Sequence, residues 1–180
     1  MINARVLLLG LVWLPSMIVA FLCGVGELPV GLSVRPDGQP LLLCQRSQCL
    51  IQSHDLGYTQ MKCDEHLTNA CLRKDAFVLA FGRPETSSKM LSLMCCNHPS
   101  LALRDTTTEQ EIESNSTIIV GGSIVSSVDK HEIGFNLIKN IVKMIGKNNT
   151  ITYRVITDRA DCKITTNARA PTEDAVRTSS

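Results

Sequence analysis

The sequence predicts an α+β fold: a small, disulfide-containing secreted protein with a helix–strand unit in its C-terminal half. Three observations point there. An apolar leader opens the chain, eight cysteines are spread along it, and between Asp129 and Thr157 the apolar spacing changes from four residues to two. A length of 180 residues suits one modest domain or two very small ones. Eighteen basic and 17 acidic side chains leave a net charge of +1, which gives no electrostatic ground for a nucleic-acid partner. Aromatic residues make up 4%, and the only tryptophan, Trp13, lies in the leader. The core is therefore mainly aliphatic, and cross-links would reinforce it.

Residues 1–24 read as a signal peptide. Met1 to Arg5 form a short, positively charged opening, and an apolar run from Val6 to Cys23 is broken only by Pro15 and Ser16. Small residues allow cleavage after Gly24 or Gly26, or earlier after Ala20. The proline within the run and the Gly/Pro-rich stretch after it favour cleavage over a membrane anchor. The best later candidate for a span, Ile118 to Val128, is short and diluted by Gly121 and Gly122. No stable membrane span is expected after cleavage, and the expected location is secreted and extracellular.

Residues 25–40 form an extended Gly/Pro-rich opening segment with a turn at Pro36-Asp37-Gly38. A cysteine-containing region follows over 41–93. Its four cysteines, Cys44, Cys49, Cys63 and Cys71, can pair among themselves in three ways. Leu41-Leu42-Leu43 predicts a short buried strand, and Ala76 to Gly82 predicts another, stopped by Gly82, Pro84 and the polar run Glu85 to Lys89. After Cys95-Cys96-Asn97, the polar stretch from Asp105 to Ser114 reads as a loop or a helix end, and Thr117 to Val125 as strand-like.

The strongest periodicity comes next. Ile133, Leu137, Ile141 and Ile145 stand four apart, flanked by Ile138 and Val142, with Asn136, Lys139, Asn140, Lys143 and Lys147 opposite. Asp129 and Glu132 have capping-box spacing, and Gly146 with Asn148 and Asn149 supplies a stop. This predicts an amphipathic helix, its stripe packed into a core rather than laid on an anionic membrane. Thr150 to Thr157 then predicts a strand, with Ile151, Tyr153 and Val155 on one face. Residues 169–180 read as a disordered tail.

The cysteines decide little else. Cys63 and Cys71 with His66, and Cys95 and Cys96 with His98, cluster as zinc ligands do, but an oxidising compartment favours disulfides. The disulfide candidates are Cys44, Cys49, Cys63, Cys71, Cys95, Cys96 and Cys162; retaining Cys23, by cleavage after Ala20, would make the count even. His54, His66, His98 and His131 lie in no hydrolase or zinc-protease motif, so no enzyme, cofactor or metal is expected. Asn115-Ser116-Thr117 and Asn148-Asn149-Thr150 make Asn115 and Asn148 glycosylation candidates.

Cys95-Cys96-Asn97, Leu101, the stretch ending Ile141-Val142-Lys143-Met144-Ile145, the strand Tyr153-Arg154-Val155-Ile156 and Cys162-Lys163 occur in that order. This resembles the ground-like domain of secreted, hedgehog-related nematode proteins, over residues 94–168. The resemblance implies a non-enzymatic protein that binds an extracellular protein or matrix component, in intercellular signalling or in matrix such as cuticle. It also implies a bond from Cys162 to Cys95 or Cys96. The self-splicing module of hedgehog-type precursors is not among these residues, so neither autoprocessing nor cholesterol attachment is expected. A second resemblance, to three-finger domains of the Ly-6 and TGF-β-receptor kind, uses residues 41–97. It implies a ligand- or receptor-binding module whose Cys95 and Cys96 bond within residues 44–71.

Overall fold

The computed structural model describes residues 21–51, 61–82 and 90–163. Residues 1–20, His54, the polar run 85–89 and the tail 169–180 lie outside them. Eleven strands run along the described residues: Phe21–Leu22 (β1), Glu27–Val34 (β2), Pro40–Arg46 (β3), Lys62–Cys63 (β4), Phe77–Phe81 (β5), Leu93–Asn97 (β6), Leu101–Glu113 (β7), Ser116–Ile119 (β8), Gly122–Val125 (β9), Glu132–Ile145 (β10) and Ile151–Cys162 (β11). One four-residue helical turn, Gln48–Ile51 (α1), follows β3. The fold is therefore almost wholly β, and the expected α+β class is overturned.

The strands form three antiparallel sheets, ordered β1-β5-β6-β4, β7-β11-β10-β9 and β3-β2-β8. Hairpin chemistry closes two of the turns where the sequence places them. At Pro36-Asp37-Gly38 the Gly38 N–H donates to the Arg35 carbonyl at 2.9 Å, with Gly38 at φ 77°. Between β10 and β11 the Gly146 N–H donates to the Thr150 carbonyl at 2.9 Å, and Asn149 takes φ 57°. Asparagine tolerates that left-handed conformation better than most residues.

The correction centres on residues 132–145. They form not a helix but the long strand β10, paired to β11 along its length and to β9 at its start. A spacing of four is a multiple of the strand period as well as close to one helical turn, so the pairs Ile133/Leu137 and Ile141/Ile145, on either side of the register shift, each fit both. The positions midway between them decide. Phe135 is fully buried, and Lys143 is only 6% exposed. Lys143 was expected on a solvated helical face. Five β-branched residues and the internal Gly134 also disfavour a helix. The Asp105–Ser114 stretch, expected as a loop or a helix end, lies in β7 as far as Glu113, and the ladder partner of β7 is β11.

The core has two clusters. One holds Leu32, Val34, Val78, Phe81, Leu93, Cys95, Ile138, Ile141, Tyr153 and Val155. The other holds Cys23, Leu28, Val30, Cys49, Phe77, Leu79, Cys96, Phe135 and Leu137. β5 and β6 divide them: alternate residues of a strand point to opposite faces, so Phe77 and Val78, like Cys95 and Cys96, enter different clusters. A strand buried on both faces reads as a continuous apolar run, as Phe77–Phe81 does. β2 and β10 pass from one cluster to the other, each at an irregularity in register, between Pro29 and Gly31 and between Ile138 and Asn140. A bulge inserts one residue and turns the following side chains to the other face.

Candidate functional site

All eight cysteines are oxidised in pairs: Cys23–Cys44, Cys49–Cys162, Cys63–Cys96 and Cys71–Cys95. None of Cys44, Cys49, Cys63 and Cys71 pairs with another of that group, so none of the three ways in which they could pair among themselves is realised. Cys162 bonds to Cys49 rather than to Cys95 or Cys96. Cys95 and Cys96 instead reach Cys71 and Cys63, which is the pairing the three-finger resemblance implied. Cys23, placed at the end of the leader, is buried, its N–H donating to the Leu79 carbonyl at 3.2 Å.

The Cys49–Cys162 bridge lies in a polar seam that joins α1, β9, β10 and β11. Glu132, 6% exposed, has its carboxylate at the centre. Its Oε1 accepts from the Ser47 hydroxyl at 2.5 Å and the Cys49 N–H at 3.1 Å, and its Oε2 accepts from the Ser123 hydroxyl at 2.5 Å. A buried carboxylate is tolerable only when hydrogen-bonded in this way. Glu132, Cys49 and Cys162 are the one group of three candidate metal ligands among the described residues. The two sulfurs are bonded to each other, however, so the group offers a cation one carboxylate, already engaged by three donors. The seam is structural in chemistry. Sequence reasoning placed Glu132 at a helix cap, and nothing local marks it as buried, because Ser47 lies 85 residues away and Ser123 reaches it only once β9 pairs with β10.

His66 is exposed; the ring Nδ1 of buried His98 accepts from the Ser100 N–H at 3.2 Å. His131 Nδ1 stands 2.6 Å from Asp129 in the turn between β9 and β10. Hydrogen bonding from Ser126, and secondarily the backbone and His131, holds the Asp129 carboxyl below its ordinary range. Lys139, the bulged residue of β10, donates to the carbonyls of Arg73 and Lys74 at 2.6 and 3.0 Å and ties the 73–75 loop to the sheet. Burial pulls its pKa down, against the attraction of Asp158, Asp75 and Asp105.

At the opposite end of β10, the β2–β3 and β10–β11 hairpin turns and the β7–β8 turn meet around an open cavity of about 340 Å³, lined by Asp37, Gly38, Ser114, Asn149, Thr150 and Ile151 among others. Below it the fully buried Tyr153 donates its hydroxyl to the Gly38 carbonyl at 2.7 Å. Burial, and then the nearby Asp37 charge, push the phenol up to about 12. The two glycosylation candidates stand beside this cavity: Asn115 follows Ser114 in the β7–β8 turn, Asn148 precedes Asn149 in the β10–β11 turn, and both are exposed.

The unit is almost wholly β and cross-braced by four disulfides, bonds that persist in oxidising surroundings. Residues 20–163 match the Warthog N-terminal signalling domain, and the chain belongs to that hedgehog-related nematode family. It is 23% identical over 167 residues to Warthog protein 6 of Caenorhabditis elegans, covering 90% of this chain and 28% of that protein. The chain thus spans under a third of that relative. No solved structure matches it. The hedgehog-related character expected from the Cys-Cys-Asn resemblance is supported, but the matched residues begin far ahead of position 94, at 20, and end at 163 rather than 168.

Proposed function

We propose that this chain is a secreted, non-enzymatic signalling module that acts by binding an extracellular protein or matrix component. The match to the Warthog N-terminal signalling domain carries the reading. The four disulfides support it, since such bonds persist outside the reducing cytosol. The Cys23–Cys44 bond and the pairing of Phe21 with Phe81 favour removal of the leader after Ala20. Cleavage after Gly24 or Gly26 would leave Cys44 without a partner. A ground-like role in matrix or cuticle is a narrower form of the same proposal.

The three-finger reading draws support from the bonds of Cys95 and Cys96 to Cys71 and Cys63. It accounts for residues 41–97 only and leaves Cys49–Cys162 and the β10–β11 ladder unused, so it ranks second. Expression of the full chain in nematode or insect cells tests the proposal. The expected result is protein in the medium beginning at Phe21, with no free thiol, that binds saturably to nematode cells or matrix. Retention inside the cell with free thiols overturns it.

A further inference from the structure

We propose that Asn115 and Asn148 both carry N-linked oligosaccharide, and that the two glycans shield the one end of the molecule where the open cavity lies. The inference rests on the extracellular reading above. Each acceptor is followed two residues later by a threonine, Thr117 and Thr150, as the modification requires. The separation of 33 positions along the chain is no barrier to their meeting in space. β7 and β10 both pair with β11, so the turns that end β7 and β10 lie side by side. The Ser114 hydroxyl donates to the Ile151 carbonyl at 3.3 Å, and the Asn115 N–H to the Arg35 carbonyl at 3.4 Å. Three turns are thereby drawn together, with one acceptor in each of two.

Local conformation suits the modification. Asn115 is exposed at φ 61°, a left-handed position where asparagine is favoured. Asn148 is exposed in a turn whose backbone is closed by Gly146, so its side chain carries no part of the core. In the transfer, the asparagine amide nitrogen bonds to the anomeric carbon of a lipid-diphosphate-linked oligosaccharide. The nitrogen loses a proton and the lipid diphosphate leaves. A bulky polar group at both sites covers Pro36, Asp37 and Ile151, and directs any protein partner to other faces.

The test uses the full chain secreted from insect cells, its intact mass measured before and after peptide-N-glycosidase. The expected result is loss of two oligosaccharides from the parent chain and of one from N115D or N148Q. T117A and T150A serve as second variants that leave each turn asparagine in place. Hydroxyl-radical footprinting should show Pro36 and Ile151 oxidised at least twofold less in the glycosylated chain than in the enzyme-treated one. A chain in the medium with unmodified mass overturns the proposal while the extracellular reading stands. Equal oxidation of the two forms overturns the shared shield. A chain that never enters the secretory pathway overturns both the proposal and the reading it rests on.

Discussion

Two buried polar side chains, Glu132 and Tyr153, anchor opposite ends of the β10–β11 hairpin region. Removing the Glu132 carboxylate strands the Ser47 and Ser123 hydroxyls and the Cys49 N–H in a buried seam. Glu132→Ala should therefore cost about 2–3 kcal/mol, read as a lower urea midpoint at unchanged slope. Tyr153→Phe loses one hydrogen bond to Gly38 and should cost about 1 kcal/mol. Its pH behaviour is more diagnostic. Folding raises the phenol from 10.0 to about 12, so the fold favours the neutral form. That contribution is complete below pH 10 and is lost as pH rises towards 12. The wild-type chain should lose stability across that window, and the Tyr153→Phe chain should lack this component; identical alkaline profiles would refute the assignment. Neither role was visible in the sequence, where Tyr153 reads as one apolar position of a strand and Glu132 as a helix cap. Burial of a polar group depends on partners that arrive from remote segments.

Elements were legible where local chemistry determines them. Turns at Pro36-Asp37-Gly38 and Gly146–Asn149 follow from residues that tolerate positive φ; the apolar runs at 41–43 and 77–81 are both strands, but only 77–81 is buried whole, while Leu41–Leu43, expected as a buried strand, are half-buried. Two elements differ from the sequence expectation for separate reasons. In β10 a four-residue spacing satisfies two periods at once, and the bulge at Lys139 disturbs the alternation that would have exposed the strand. In β7 the residues from Asp105 to Glu111 are exposed, so no apolar alternation exists, and β structure is imposed by pairing with β11. The same dependence on neighbours makes the link between β8 and β9 sensitive. A Cβ at Gly121 would collide with the Asn136 carbonyl oxygen and lie 3.3 Å from the Val30 Cα. Gly121→Ala should force the start of β10 away from β2 and cost about 2–3 kcal/mol. A melting temperature within one degree of wild type, an order-of-magnitude equivalent of a few tenths of a kcal/mol, would contradict this.

Across the whole molecule, the disulfides do what a sparse aromatic core cannot. Cys49–Cys162 joins residues 113 apart and Cys23–Cys44 residues 21 apart. Constraint of the unfolded chain grows with loop length, from about 3 kcal/mol for short loops to nearly 5 for long ones. Bridges nested inside the long loop shorten it, so the ordering is the firm expectation: Cys49→Ala/Cys162→Ala should lower the melting temperature more than Cys23→Ala/Cys44→Ala. The opposite order in calorimetry would show that local packing outweighs chain constraint here.

The adjacent pair Cys95 and Cys96 also sets the order of events during oxidative maturation. Exchanging their partners, Cys71 and Cys63, would close loops of nearly the same length, so chain statistics barely distinguish the native bridges from the swapped ones. Only the placement of the two sulfurs on opposite faces of β6 does so. The correct bridges therefore become selectable once β6 has docked on β5, which makes strand pairing the proofreader of thiol chemistry in this protein.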